Sequence, residues 1–323
     1  MRGFIIRRIL QIIPVFFAIL ILLFMILELA PGQPLADVQD PRISAATRAR
    51  MLERFNLDLP MHERFFNWIS DALRLDFGES ITHRRPVSDI IATALPATLT
   101  LSISAMIVSL LIGIPLGILS AVYKGKITDT ICSVFAFIGI SMPGFFFGVL
   151  LILIFSVNLG WTPISGYGSP PPFANNATLL QIWADRAWHL ILPVTVMGLI
   201  GAAGYMRYTR SSMLEVIHSD YIRTARAKGL RERRIIFRHA MRNALIPIIT
   251  LIGLQLPTLF SGAAITEAVF GLPGLGQIMI QAANGRNYPI IIGMMTMIAI
   301  VTLAAALIAE ILYAVADPRV KYD

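Results

Sequence analysis

The sequence predicts an all-α, polytopic integral membrane protein with six transmembrane helices, and three observations lead there. Of its 323 residues, 56% are hydrophobic and 14% charged, with a mean hydropathy of +0.72. That leaves too little polar surface to cover a water-soluble globule. Apolar runs recur at Ile9–Leu29, Leu95–Val122, Ile131–Val157, His189–Met206, Leu245–Ile265 and Pro289–Val315, and a hydrocarbon core of about 30 Å needs roughly 20 helical residues per crossing. Basic residues gather on alternate flanks of these runs. Lipid cannot satisfy bare backbone groups, so each run is expected to be helical.

The first run follows Arg2, Arg7 and Arg8. It exceeds the usual cleavable signal core of about 7 to 15 residues and lacks a clear small-residue cleavage site, so residues 1–30 are expected to form a retained anchor helix. With the N-terminus inside, the inner side receives Arg2, Arg7, Arg8, Lys124, Lys126, ten basic residues from Arg207 to Arg242, Arg319 and Lys321. The short outer loops hold only Arg186 and Arg286. That asymmetry predicts an N-in, C-in topology. The formal charge of +8 lies almost wholly on the inner flanks, where anionic membrane lipid attracts it, and nucleic acid is not the expected partner. Cys132 stands alone in an apolar run, which excludes a disulfide within the chain and a cysteine metal site.

Residues 31–94 form the one long polar insert, placed outside by this topology. Ser44 is read as the N-cap of a short helix through Phe55. Pro60–Leu75 carries Phe65, Ile69 and Leu73 on one face with Trp68 beside them, a face expected to lie on the membrane surface or on the bundle. A second outer loop, Asn158–Trp188, is dense in Gly and Pro, which predicts irregular backbone. Prolines recur at membrane depth at Pro14, Pro115, Pro143, Pro193, Pro247 and Pro257. The pairs Gly113/Gly117 and Gly144/Gly148 have the spacing that lets helices approach closely. Residues 95–315 are read as one transmembrane domain, followed by a tail at 316–323.

Catalytic chemistry is not expected. Acidic residues within the spans are few, Glu28 and Glu310 near span ends and Glu267 just beyond the fifth span, whereas an ion-driven carrier needs ionisable or polar sites near the midplane. His189, His218 and His239 are scattered and lack metal-ligand spacing. No glycine-rich loop ending in Gly-Lys-Ser/Thr exists, so no nucleotide cofactor or metal is expected in this chain.

The informative element is the basic run Tyr221–Pro247, YIRTARAKGLRERRIIFRHAMRNALIP. Ser219 or Asp220 can cap a two-turn helix from Tyr221 to Lys228. Arg226 and Lys228 suit its negative C-terminal end, and Gly229 fits the left-handed residue that stops it. A second helix should begin near Arg231 and run into the fifth span as a stiff link. Topology alone explains the charge here, but it does not explain the stop at Gly229.

That stop carries a resemblance. The loop resembles the coupling motif of ABC importer permeases, whose Glu-Ala-Ala, three residues, Gly pattern aligns with Arg223, Thr224, Ala225 and Gly229. Ala225 and Gly229 match, Arg223 and Thr224 depart from the general pattern, and the family proline falls later, at Pro247. The stretches TARAKGL and RHAMRNALIP are similar to the dipeptide/oligopeptide/nickel branch, as are Arg7-Arg8 and Ala30-Pro31-Gly32-Gln33-Pro34 at the start. So are Glu267, Phe270, Pro273, Gly274, Gly276, Arg286, Tyr288 and Pro289 before the last span, and Leu312, Tyr313, Asp317, Pro318 and Arg319 at the tail. Asn287 stands where that branch usually has Asp.

The resemblance implies a type I ABC importer permease fold in a bacterial or archaeal cytoplasmic membrane. It implies a second homologous permease, cytoplasmic ATPase subunits that bind ATP and Mg, and an extracytoplasmic solute-binding protein. It also implies a coupling helix at about 220–230, with Tyr221, Thr224, Ala225, Ala227, Lys228, Gly229, Arg231 and Arg233 as its ATPase-coupling residues. Ala225 and Gly229 would permit close seating, and Lys228, Arg231 and Arg233 rim contacts. The implied cargo is short peptides, with oligopeptides, nickel chelates or glutathione as alternatives. An ion-coupled secondary transporter and a basic-loop membrane scaffold are the readings from other classes. Substrate-binding residues are not identifiable from the sequence.

Overall fold

The apolar runs become helices wherever they are seen, but prolines and glycines break two of them. A computed structural model describes residues 2–29, 59–170 and 177–316, without the side chains of residues 2–6, 27 and 309–316. The helix expected from Ser44 to Phe55, the tail from 317 and the Glu310 side chain lie outside the described residues. Among the described residues, Arg7–Ile26, Val87–Val122, Leu179–Ile217 and Tyr288–Ile308 are each long and apolar enough to cross a membrane. Two bent helix pairs bring the total to six if each is one span.

The chain forms two compact units, Met1–Pro96 with Leu275–Asp323, and Ala97–Gly274. In the first, α1 (Arg2–Leu29) packs on the last helix of the chain, Tyr288–Ala316. Helix α2 (Met61–Leu73) begins directly after Pro60, one residue inside the expected range. It lies on α1 rather than free on a surface. The Phe24 ring meets Phe65 edge-on at 5.1 Å and stacks on Trp68 at 5.7 Å, and Arg64 Nη1 donates to Glu28 Oε1 at 2.9 Å. Leu73, expected on the covered face, is 57% exposed because it closes the final turn. The unit's core joins Val87, Ile90 and Ile91 to Leu275, Ile290 and Met294.

Asn287 is buried in the same unit, and it ties the start of the last helix to a tight turn. Its Nδ2 donates to Ser80 Oγ and Thr82 Oγ1, both at 2.8 Å, and its Oδ1 accepts from the Ile81 amide at 3.4 Å. The neutral amide therefore supplies the two donors these hydroxyls accept from.

In the second unit, α3 (Val87–Val122), whose first turns belong to the first unit, crosses α6 (Leu179–Ile217) with backbones nearly touching. A Cβ at Gly113 would stand 2.7 Å from the Ala202 carbonyl, and one at Gly117 would stand 2.7 Å from that of Met206. Only glycine permits that approach. Helix α6 runs well beyond the expected His189–Met206 at both ends. Thr178 starts it with a capping box, in which the Gln181 amide donates to Thr178 Oγ1 at 3.4 Å and the Thr178 amide to Gln181 Oε1 at 2.8 Å.

The third expected span is not one rod. Helix α4 (Ile127–Ser141) and α5 (Gly144–Leu151), which passes into a π turn at Ile152–Asn158, meet at 99°. The cause is local. Met142 precedes Pro143 and is driven into extended backbone, φ −84° and ψ 123°. The fifth span also departs from the expected Leu245–Ile265, since it ends at Ser261, before Gly262 with φ +83°.

Candidate functional site

The segment between α6 and the fifth span is a short helix seated on its own unit. Helix α7 (Asp220–Ala227) is one residue shifted from expectation at each end. Ser219 occupies the N-cap position with extended backbone, yet its hydroxyl donates backward to the Val216 carbonyl at 2.6 Å instead of capping the new helix. Asp220 lies on the first turn, where a negative charge is favourable.

Gly229 ends the helix as the sequence implies. Its φ is +73°. The Gly229 amide donates to the Arg226 carbonyl at 2.9 Å and the Leu230 amide to that of Ala225 at 3.4 Å, the two bonds of a Schellman stop. Leu230 then folds back onto the cluster containing Ile222 and Ala225. Isolated helices of eight residues are marginal in water, so this apolar seat is what holds α7. Ile222 is fully buried against Ile118, Met213, Ile235 and Ala240.

A salt bridge closes the turn from outside. Arg226 Nη2 donates to Glu232 Oε1 at 2.7 Å and Nε to Oε2 at 3.2 Å, a bidentate pair spanning Gly229. The hydrogen bond to Glu232 raises the Arg226 pKa further above its already high value, so its charge is constant at any accessible pH. Sequence reasoning placed Arg226 at the helix end but did not pair it with Glu232. Opposite charges six residues apart across a helix-stopping glycine were the available signal.

The sequence-predicted residues divide into two sets. Thr224, Ala227, Lys228, Gly229, Arg231 and Arg233 are exposed. Tyr221 is exposed at 44%, and its hydroxyl accepts from Asn243 Nδ2 at 2.7 Å, tying α7 to the following segment. Ala225 is different: it is 8% exposed and packs inward, so its small side chain serves the seat of α7. Beyond the turn, Arg231, Arg233 and Arg234 surround the exposed Phe237 along a shallow cleft.

The link to the fifth span is hydrogen-bonded but neither straight nor uniform. Helix α8 (Glu232–Arg234) passes into a π turn at Ile235–Ala240, then α9 (Met241–Ala244), and meets α10 (Ile246–Gln255) at a 41° bend that continues into α11 (Thr258–Ser261). Pro247 opens α10, where its missing amide costs no helical bond. At the bend the Ala244 carbonyl accepts from Ser212 Oγ at 2.8 Å, which fastens the link to α6. The expected stiff rod is thus a jointed one.

A second polar centre, unpredicted from sequence, binds α4 to α6. Asp129 accepts from Arg210 Nε at 2.9 Å and Nη2 at 3.0 Å, and from the Gly125 amide at 3.0 Å. Ser120 also donates to it. The partners lie 81 positions apart in sequence, so no local pattern reports them.

Comparison with known proteins adds an independent observation. The family model described as "Binding-protein-dependent transport system inner membrane component" matches residues 113–322. The chain is 42% identical to the oligopeptide transport system permease protein AppB of Bacillus subtilis (strain 168), over 100% of both chains. It is 40% identical to the dipeptide transport system permease protein DppB of Escherichia coli (strain K12), over 100% of this chain and 99% of that one. It is 36% identical to the glutathione transport system permease protein GsiC of Salmonella choleraesuis (strain SC-B67), over 100% of both. Its fold is similar to a chain of the inward-facing MetNI methionine ABC transporter, with a TM-score of 0.54 at 20% identity, covering 71% of this chain and 96% of that one.

Proposed function

Because the chain belongs to the family of binding-protein-dependent transport system inner membrane components, we propose that it is the membrane-spanning permease subunit of an ATP-driven importer of short peptides. The observation that carries this reading is likeness to peptide permeases along the whole chain, at 42% and 40% identity. Oligopeptides and glutathione are the neighbouring cargo classes, being what two of those relatives are named for.

The chain works with ATPase subunits, which hold ATP and Mg, with a second permease and with an extracytoplasmic binding protein. It sits N-in and C-in in the cytoplasmic membrane of a bacterium or archaeon, with α7 on the side of the ATPases. The exposed Thr224, Ala227, Lys228, Arg231 and Arg233 form the contact face. Ile222, Ala225 and Leu230 hold that face to the body of the permease. When the ATPases close, α7 is displaced. The Arg226–Glu232 pair and the jointed segment pass that displacement to the fifth span, while Ser212 at the Ala244 bend makes α6 respond with it.

Reconstitution tests the reading. Vesicles carrying all subunits should accumulate a labelled dipeptide only with ATP and the binding protein present. Uptake that survives ATP depletion with ion gradients intact would place the chain among secondary carriers.

A further inference from the structure

We propose that the cavity between α4 and α6 is a transit site for the free carboxylate of a peptide, with Arg207 as its anion-binding group; this rests on the importer reading and names the group that meets the cargo at the inner end of the fourth apolar run. The cavity measures about 730 Å³, within the roughly 300–1,000 Å³ typical of small-molecule sites. Ser133, Phe137 and Ser141 line it from α4, and Gly204, Arg207 and Tyr208 from α6.

Two arginines reach this space and they are not equivalent. Arg210 is held in a bidentate pair by Asp129, so its charge is balanced. Arg207, one helical turn away, is exposed and has no hydrogen bond or ion pair among the described residues. The lining contains no carboxylate. Arg207 directly follows the apolar run His189–Met206 and stands at its inner end. The cation faces a cavity whose other polar groups are the paired Arg210 and the hydroxyls of Ser133, Ser141, Tyr208 and Ser211, which also suit an anion.

Gly204 supplies a second observation. The glycines of α6 on either side of the helix crossings are there for contact: a Cβ at Gly198 would stand 2.7 Å from Val108 Cγ1. A Cβ at Gly204 would meet nothing within 4 Å. Among the described residues nothing fills the space of its missing side chain, which leaves the helix backbone open to the cavity beside Arg207. Phe137 and Tyr208 give a wall that accepts apolar side chains without reading their identity. One fixed cation, hydroxyls and a tolerant wall match the common features of short peptides, which share a terminal carboxylate and differ in side chains.

The test uses the assembled transporter in nanodiscs of zwitterionic lipid, with Cys132→Ser and Ile140→Cys so that this chain's single thiol lies at the cavity wall. Dialanine should slow maleimide labelling at position 140 at least threefold, and dialanine amide should not. Arg207→Gln should abolish the protection and Arg207→Lys should retain it. In vesicles, Arg207→Gln should lower dialanine uptake about tenfold with the binding protein's own affinity and subunit assembly unchanged. Equal protection by the amide, or protection that survives Arg207→Gln, overturns the proposal. So does protection seen only in anionic lipid, which identifies a headgroup phosphate as the anion. Loss of assembly in Arg207→Gln also overturns it, assigning the cation to a subunit interface. If the transit site protects as expected but the unaltered complex accumulates no peptide with ATP, the importer reading fails on its own.

Discussion

Gly229→Val probes the turn proposed to couple the chain to its ATPases, with little else disturbed. Gly229 has φ +73°, and an added Cβ there would meet nothing within 4 Å, so the cost is one of backbone conformation alone. For an L-residue the left-handed region costs about 1–2 kcal/mol, and a β-branched side chain lies at the upper end of that range. A loss of about 2 kcal/mol corresponds to roughly a 30-fold shift away from the closed turn. The two Schellman bonds and the Arg226–Glu232 pair both depend on that turn. Because Ile222 and Ala225 remain buried on the body of the permease, assembly should persist. In reconstituted vesicles, peptide transported per ATP hydrolysed should fall in the order Gly, Asn, Ala, Val, with Asn mild because it tolerates the left-handed region. Unchanged coupling in Gly229→Val, or Asn as damaging as Val, would refute the reasoning.

Three further outcomes follow from the packing. Asp129→Asn strips a largely buried Arg210, whose side chain is 31% exposed, of its charge partner and should destabilise the purified subunit by about 3 kcal/mol, read as a fall in Tm, whereas Asp129→Leu with Arg210→Met should cost less than the single change. Gly274→Ala would bring a Cβ within 2.6 Å of the fully buried Glu267 carboxylate, which accepts from Thr98 Oγ1 at 2.8 Å. The overpacking should cost about 1–3 kcal/mol, and Glu267→Ser in the same chain should recover part of it in denaturant titration. Glu232→Gln should reduce coupling modestly, since the pair is 41% and 54% exposed and such pairs contribute about 1 kcal/mol at most; a double-mutant cycle with Arg226→Gln should show that coupling energy shrinking in high salt.

Why some of this was legible in the chain and some was not is visible at particular residues. The turn at Gly229 was readable because it is local: a basic helix end, a glycine and a following leucine fall within a few residues. Asn287 is a harder case. An asparagine just before the last apolar run is visible in the sequence, but its reason appears only when its amide is seen donating to Ser80 and Thr82. Ala225, expected as a docking contact, packs inward, and a small residue on a short helix suits either face. Only the positions of Ile118, Met213 and Ile235 decide which face is covered.

By itself the sequence determined six apolar runs, the gathering of basic residues between the fourth and fifth of them, and the helix stop before the fifth, because these follow from the hydropathy, charge and backbone preference of adjacent residues. Tertiary structure alone decided the glycine crossing of α3 on α6 and the pairing of Asp129 with Arg210 beside the cavity that Arg207 lines. Those depend on which surfaces meet across tens of residues, and a contact of that range is set by the packing of whole helices, not by the preference of any one segment.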